Sequence, residues 1–159
     1  DSFVLMCYLG LRFSDYLKIN QNSISNGFLD IIMHKTNESV SIPIHPYALE
    51  IIKRYNYILP KISNSKLNKM IKKVCKYAEI DNEVTDKGEI KKKYKLVTCH
   101  TARRSFATNG YLSDVPVRDL MMITGHKKES TFLNYVQVKR EVKLKRILEI
   151  YPTKLSKVG

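Results

Sequence analysis

The spacing of apolar residues divides the chain into short helices and two pairs of strands. Residues 2–9 are almost continuously apolar, which predicts a buried helix. A second helix, amphipathic and with a basic outer face, is predicted over residues 65–78, because a set of apolar residues recurs there with the helical period. The apolar residues expected to face its core are Leu67, Met70, Ile71, Val74 and Ala78.

Other helices are marked by their end signals. Ser14 or Asp15 is suited to cap a short helix that runs to about Ile19, and Pro46 opens one that runs to about Asn56. Past Pro116 the pattern predicts a helix over residues 117–123 that Gly125 ends as a C-cap. Two more helices are expected after it, from about Ser130 and from about Lys139 to Glu149.

The predicted strands form two hairpins. The first hairpin is predicted from residues 28–35 and 40–44, and its tip carries Lys35. Residues 83–97 predict a second hairpin that turns at Asp86–Gly88 and has a very basic second strand. The expected fold is therefore mainly α with small antiparallel β-hairpins, in the α+β class.

Length and composition indicate one domain inside a cell. At 159 residues and 43% hydrophobic content the chain can bury a core of its own. Cys7, Cys75 and Cys99 are widely spaced, which is typical of reduced thiols in the cytoplasm, and neither they nor the histidines show zinc-ligand spacing. The first apolar segment is too short to span a membrane. Its abrupt start without methionine predicts a fragment of a longer protein.

The net charge of +13 favours an anionic polymer as partner, and it is unevenly distributed. Residues 1–60 are neutral overall, whereas residues 61–104 hold thirteen Lys and Arg against five Asp and Glu. Residues 127–159 add a further net +6. The two basic regions therefore flank residues 105–126, which hold one Arg against two Asp and are nearly neutral, and nucleic acid is the polymer that this pattern favours.

A candidate chemical site begins at residue 100. If the surrounding segment is helical, His100 and Arg103 share one face of the helix, because they are three positions apart. The planar guanidinium donates two parallel hydrogen bonds to a phosphate, and the imidazole transfers a proton near neutral pH. Arg12 follows Gly10 at a helix junction, from which it can point into the same cleft. A basic helix with a buried histidine is the alternative interpretation.

Together these residues resemble the active-site signature of the tyrosine recombinase (phage integrase) family. The resemblance covers the chain in order: Leu9-Gly10-Leu11-Arg12, the hairpin Lys35, His100-x-x-Arg103, Gly125-His126, and Tyr135 nine residues after that histidine. His-Thr-Ala-Arg-Arg-Ser-Phe-Ala-Thr-Asn and Ile-Thr-Gly-His are most similar to integrases of Bacteroides-type mobile elements. The resemblance implies the DNA breaking-rejoining fold, with residues 1–159 as the C-terminal catalytic domain and the N-terminal DNA-clamping domain absent.

The resemblance also implies a role for each matched residue. Tyr135 would attack a DNA phosphodiester to give a 3′-phosphotyrosine and a free 5′-hydroxyl, and rejoining would need no ATP. Arg12, Arg103 and His126 would hold the phosphate oxygens, His100 would act in proton transfer, and Lys35 would protonate the departing oxygen. These groups supply the positive charge, so no metal or other cofactor is expected. Arg104 replaces a histidine common in the family and is not expected to be catalytic.

The implied partner is double-stranded DNA, bound by a homotetramer, with a monomer allowed in its absence. No membrane is expected, and the location would be cytoplasmic and nucleoid-associated. A type IB topoisomerase, a catalytically silent DNA-binding protein of the same fold and a basic RNA-binding module remain as alternatives. The last helix would pack on a neighbouring protomer or fold back on its own chain. The phosphate contacts are expected from Lys66, Lys69, Lys72, Lys73, Lys76, Lys91, Lys92, Lys93 and Lys95.

Overall fold

The computed structural model describes residues 1–136, in which helices surround two small antiparallel sheets. Each helix is short, so its stability depends on side chains packed into the interior rather than on helix propensity alone. The helices are α1 (Ser2–Leu9), α2 (Phe13–Tyr16), α3 (Pro46–Arg54), α4 (Asn64–Tyr77), α5 (Cys99–Leu112), α6 (Val117–Thr124) and α7 (Glu129–Tyr135). The strands are β1 (Ile24–Ser25), β2 (Phe28–Ile32), β3 (Ser39–Pro43), β4 (Glu83–Asp86) and β5 (Glu89–Lys92). Single 3-10 turns lie at Gln21–Ser23 and Lys93–Leu96.

The first sheet has the order β1-β2-β3, and its central pair sets the position of the turn that carries Lys35. Phe28 pairs with Pro43 and Ile32 with Ser39, so the strand-forming residues end three positions before Lys35. Leu29 and Ile31 of β2 alternate inward, as expected for a sheet with one buried face. The second sheet is the β4-β5 hairpin alone, with Glu83 opposite Lys92.

The main core lies where α1 packs along α5. Leu5, Met6 and Leu9 of α1 are completely buried, as is Ala102 of α5. The same core takes in the inner face of the first sheet and the apolar residues of α3 and α4. A smaller cluster joins α5 to α6 and α7 through Ala107, Leu120 and Phe132. α5 therefore contributes residues to both clusters.

Within residues 1–136 the predicted helices and hairpins are confirmed, as is the fold class, but two details of the helices differ. α2 has Arg12 as its N-cap and ends at Tyr16 rather than near Ile19, and neither Ser14 nor Asp15 caps it, because both lie inside the helix. In α4 the buried stripe is Leu67, Ile71 and Cys75. Met70, Val74 and Ala78 instead face solvent, because the helix is rotated to pack one narrow face on α5 and the Lys93–Leu96 turn.

The strand expectations also need correction. The turn-rich segment before Gly27 contains the short strand β1, which its pattern did not predict. The second strand of the basic hairpin ends at Lys92, so Lys93 and Lys95 lie on the 3-10 turn that follows. The helix predicted from Lys139 lies outside the described residues. None of the helices within residues 1–136 has the length and apolar character needed to cross a membrane.

Candidate active site

Arg103 is the buried centre of the site. It lies in the second turn of α5, is only 1% exposed, and donates a hydrogen bond from Nη1 to the Gly10 carbonyl at 2.6 Å. Gly10 ends α1 in a left-handed conformation with φ of 63°. Nη2 of Arg103 is buried without a hydrogen-bond partner among the described residues. Burial, reinforced by the charge of Arg12, lowers the pKa of Arg103 to about 10, so the side chain stays charged at neutral pH.

Arg12 lies at the start of α2 and is connected to three parts of the site. Its Nη2 donates to the Thr124 carbonyl at 3.5 Å, and its Nη1 lies 3.9 Å from Asp15 Oδ2. Both terminal nitrogens pass close to Gly125, where an added Cβ would meet them at 3.6 Å. Asp15 also accepts a 2.7 Å hydrogen bond from the His34 backbone N–H, next to Lys35. One buried carboxylate thus links Arg12 to the Lys35 turn.

His126 follows Gly125, the left-handed C-cap of α6. Its Nδ1 lies 2.8 Å from the Thr124 hydroxyl, and its ring centroid is 4.9 Å from that of Tyr135. Burial is the main reason that the pKa of His126 falls to about 4, with contributions from Arg103, Arg12, His100 and Lys35. The imidazole is therefore neutral at pH 7 in the absence of a bound anion.

Tyr135 is the last residue of α7 and points its ring between the two histidines. Its centroid is 5.2 Å from His100 in an edge-on arrangement. The hydroxyl is buried beside the Arg103 guanidinium, without a hydrogen bond of regular geometry to any described residue. Burial raises the pKa of Tyr135 above its usual value of 10, and the charges of Arg103, Arg104 and Arg12 partly offset that rise. A phenol in this position is protonated at neutral pH and has cations ready to stabilise its anion.

His100 and Lys35 complete the predicted set. His100 is exposed in the first turn of α5, and desolvation followed by the charges of Arg103, Arg104 and Arg12 lowers its pKa. Lys35 is exposed in the turn after β2, near enough for its charge to act on His126. The structure therefore brings the predicted residues together from five separate segments: Arg12, Lys35, His100, Arg103, His126 and Tyr135. Within residues 1–136 no cluster of His, Cys, Asp or Glu is arranged to hold a metal.

The predicted DNA-contact lysines fall into two groups. On α4, Lys66, Lys69, Lys73 and Lys76 are exposed and Lys72 is half-buried. On the hairpin, Lys91 pairs with Glu89 at 2.8 Å and with Asp86 at 3.3 Å, and Lys92 pairs with Glu83 at 3.2 Å. Part of the hairpin's positive charge is thus already neutralised, whereas Lys93 and Lys95 on the following turn are exposed. The α4 face is the more strongly basic surface.

Three polar residues of the site were missed or misread from the sequence. Asp15 was interpreted as a cap, although an acidic residue three positions after an arginine is also a signal for a pair on one helix face. Asn68 accepts a 2.8 Å hydrogen bond from the Cys99 N–H and so holds the first turn of α5, which carries His100, against α4. Thr124 joins Arg12 to His126. The contacts of Asn68 with Cys99 and of Arg12 with Thr124 join segments that are far apart in the sequence, so they left no periodic signal.

A comparison with protein families decides where the chain belongs. The model of the phage integrase family matches residues 2–141. The chain belongs to that family. The match includes every residue of the predicted catalytic set, from Arg12 to Tyr135.

Curated relatives of this family member are similar over most of its length. The tyrosine recombinase XerC of Rickettsia peacockii is 31% identical over 157 residues, which is 94% of this chain and 49% of the relative. XerC of Rickettsia typhi is 30% identical over 156 residues, with the same coverage of 94% and 49%. The chain therefore spans about half the length of the curated relatives it matches.

Solved structures show the same fold at lower sequence identity. The XerA recombinase superposes with a TM-score of 0.73 at 16% identity, over 95% of this chain and 57% of that one. The XerH site-specific recombinase bound to a palindromic difH substrate gives 0.70 at 15%, over 94% and 44%. The Tn1549 transposon integrase in complex with circular intermediate DNA gives 0.69 at 14%, over 94% and 58%. The fold is thus that of tyrosine recombinase catalytic domains.

Proposed function

We propose that this chain is the catalytic domain of a site-specific DNA recombinase that uses Tyr135 as its nucleophile. The observation that carries the proposal is the position of the Tyr135 hydroxyl, which is buried beside the Arg103 guanidinium and makes no hydrogen bond of regular geometry to any described residue. A buried hydroxyl whose hydrogen bonding is incomplete is costly, so its position here is best explained by a role in which a substrate completes its contacts.

The reaction that fits these groups is in-line displacement at phosphorus. The Tyr135 oxygen forms a bond to phosphorus while the bond to the 5′-oxygen breaks, giving a 3′-phosphotyrosine and a free 5′-hydroxyl. His100 receives the tyrosine proton, and Lys35 gives a proton to the departing oxygen. Arg12, Arg103 and His126 stabilise the charge that grows on the non-bridging oxygens. Attack by another 5′-hydroxyl then reseals the strand without ATP.

Electrostatics support this assignment of roles. Arg12, Arg103 and Lys35 bring three cationic groups around His126, and Asp15 is the buried carboxylate that faces Arg12. An excess of positive charge inside a partly dry site is unfavourable until an anion enters. A DNA phosphate provides that anion, and α4 offers an exposed basic face along which the neighbouring phosphates can lie.

The substrate, the oligomeric state, the domain organisation and the cellular location are part of the same proposal. We expect double-stranded DNA as the substrate and a homotetramer on DNA, with a monomer allowed without it. Residues 1–159 would form one catalytic domain working with an N-terminal DNA-clamping domain. The motif resemblance to Bacteroides-type elements supports a role in mobile DNA, in the cytoplasm and close to the nucleoid. No metal or cofactor is assigned to the reaction.

Covalent trapping tests the proposal. The full-length protein is incubated with nicked duplexes carrying candidate element ends, and the products are separated on a denaturing gel. We expect a shifted protein–DNA band that Tyr135→Phe removes and that Tyr47→Phe, an exposed tyrosine on α3, retains. Tight DNA binding by the wild type without any shifted band would instead support a catalytically silent DNA-binding protein. A band that persists in Tyr135→Phe would move the nucleophile elsewhere.

A second assay separates recombination from relaxation. Recombination on paired sites yields joined products of new connectivity, whereas a type IB topoisomerase changes only the linking number of one supercoiled plasmid. We expect strand exchange that requires two sites. Relaxation of a plasmid without any such site would favour the topoisomerase.

A further inference from the structure

Thr124 occupies a buried position between two residues of the site. It is completely buried at the last position of α6, and its hydroxyl donates to the Leu120 carbonyl at 2.5 Å. The same oxygen lies 2.8 Å from His126 Nδ1. Its backbone carbonyl accepts from Arg12. Thr124 therefore contacts His126 through its side chain and Arg12 through its main chain.

The number of hydrogen atoms available to the Leu120–Thr124–His126 contacts decides which group donates in each. Two oxygens 2.5 Å apart need a hydrogen between them, and the Thr124 hydroxyl has only one to give, to Leu120. The short contact with His126 must then be a hydrogen bond in which Nδ1 donates. A neutral imidazole carries one N–H, so with Nδ1 protonated its Nε2 has only a lone pair.

This tautomer has a consequence for phosphate binding. Phosphate oxygens are acceptors, and a lone pair on Nε2 cannot donate to them. His126 can hold a non-bridging oxygen through Nε2 only after that nitrogen gains a proton. If Nδ1 had no acceptor beside it, the neutral ring could place its single proton on Nε2 and donate directly.

The charges around His126 oppose that second proton until an anion arrives. The groups facing it are Arg103 and His100 on α5, Arg12 before α2, Lys35 on the hairpin turn and the neutral Tyr135 on α7. On its outer side, the cleft beside His126 is lined by Lys127 and Glu38, which pair with each other at 3.5 Å. Burial, together with Arg103, Arg12, His100 and Lys35, lowers the pKa of His126 to about 4. A phosphate at the site would act in the opposite direction and raise that pKa.

We propose that Thr124 is a positioning residue that holds His126 as the Nδ1–H tautomer, so that His126 takes up a proton on Nε2 when a DNA phosphate enters and only then donates to it. The proton comes from solvent and forms one new N–H bond, and no bond of the DNA breaks in this step. The DNA part of this inference rests on the proposed function, whereas the tautomer does not.

Nuclear magnetic resonance tests the tautomer without DNA. In protein labelled with ¹⁵N-histidine at neutral pH, long-range ¹H–¹⁵N correlations distinguish a protonated Nδ1 from a protonated Nε2. We expect the Nδ1–H pattern for His126 in the wild type and in Thr124→Ser, and a shift toward Nε2–H in Thr124→Val, which keeps the shape but lacks the hydroxyl. An Nε2–H pattern in the wild type would overturn the inference, whatever the variants do.

The pH dependence of cleavage tests the consequence. Above the pKa of DNA-bound His126, the single-turnover rate of adduct formation should approach a tenfold fall per pH unit from the loss of this proton. Thr124→Val should flatten the profile, because the neutral ring of His126 can then donate from Nε2. The rate at about pH 6 divided by the rate at about pH 8 should therefore be several-fold smaller in this variant than in the wild type. Thr124→Ser should restore the wild-type profile.

The two experiments separate this inference from the proposed function. An unchanged profile in a folded Thr124→Val protein that still forms the adduct would refute the proton uptake, although the recombinase chemistry would stand. Absence of adduct from the wild type would refute the recombinase chemistry and the DNA part of the inference together. The tautomer would still be decided by the spectra.

Discussion

Replacing Gly10 by alanine should damage both the fold and the site. Gly10 has φ of +63°, and a Cβ built on it would lie 2.5 Å from a carbon of the Phe106 ring. The left-handed conformation costs a non-glycine residue about 1–2 kcal/mol, and forcing an extra methyl into a packed contact costs about 1–3 kcal/mol. We therefore expect Gly10→Ala to lower the free energy of unfolding by about 2–5 kcal/mol.

Gly27 provides a matched control on the same chain. It also has a positive φ, of +79°, but no atom lies within 4 Å of the position that a Cβ would take. Gly27→Ala should therefore carry only the conformational cost of about 1–2 kcal/mol. Urea unfolding of the two variants measures the difference, which isolates the contact with Phe106. Equal losses in the two variants would show that this contact does not determine the requirement for glycine.

The same pair tests the connection to Arg103. The Gly10 carbonyl accepts the hydrogen bond of Arg103 Nη1 at 2.6 Å, and a shift of the α1 C-terminus would move that guanidinium. Displacement by about 1 Å costs roughly 100-fold in rate in well-ordered sites. We expect adduct formation by folded Gly10→Ala to fall roughly 10- to 100-fold relative to Gly27→Ala. Equal rates would mean that Gly10 does not position Arg103.

Three further predictions address other contacts of the site. Asp15→Asn keeps an acceptor for the His34 N–H and should cost less than about 1 kcal/mol in urea unfolding, because the pair with Arg12 is 3.9 Å long and the Arg12 side chain is partly exposed. Asp15→Ala leaves that N–H unpaired and should cost about 1–3 kcal/mol, and similar losses in the two variants would contradict the role of the acceptor. Alanine at Lys72, Lys73 and Lys76 should weaken binding to all DNA sequences and reduce the salt slope by about one per lost phosphate contact, whereas Lys53→Ala on α3 should not; an unchanged slope would remove α4 from the interface. Finally, the pKa of His126 is about 4 in the folded protein against 6.5 ordinarily, so the unfolded chain binds more protons between those values and stability should fall as the pH drops through that range. His126→Gln should lessen that fall, which chemical unfolding at several pH values measures, and the same pH dependence in both proteins would disprove the lowered pKa.

Local signals made most of the elements predictable. Pro46 and Pro116 mark helix starts, and Gly125 ends α6 in the left-handed conformation that glycine adopts easily. The alternation in β2 and β3 predicted their hairpin, although β1 is too short to leave such a pattern. Each correct prediction depends on neighbours within a few residues along the chain.

The core face of α4 shows where local patterns stop being sufficient. Met70 and Val74 fit the helical period as well as Ile71 does, yet Met70 is 49% exposed and Val74 64% exposed. The period indicates only that apolar residues recur. Which side faces inward is decided by α5 and the Lys93–Leu96 turn, against which α4 packs.

By itself, the sequence determined which residue types the site contains and, through their order and spacing, the family resemblance that the family match confirmed. Only the tertiary structure decided how Asp15, Asn68 and Thr124 support the residues of the site. Asp15 and Asn68 bind partners in other segments, and the contact of Thr124 with His126 depends on the geometry at the end of α6. The protonation state of His126 is likewise a product of the fold. It follows from one hydroxyl, its single hydrogen and the cations that packing assembles around the ring.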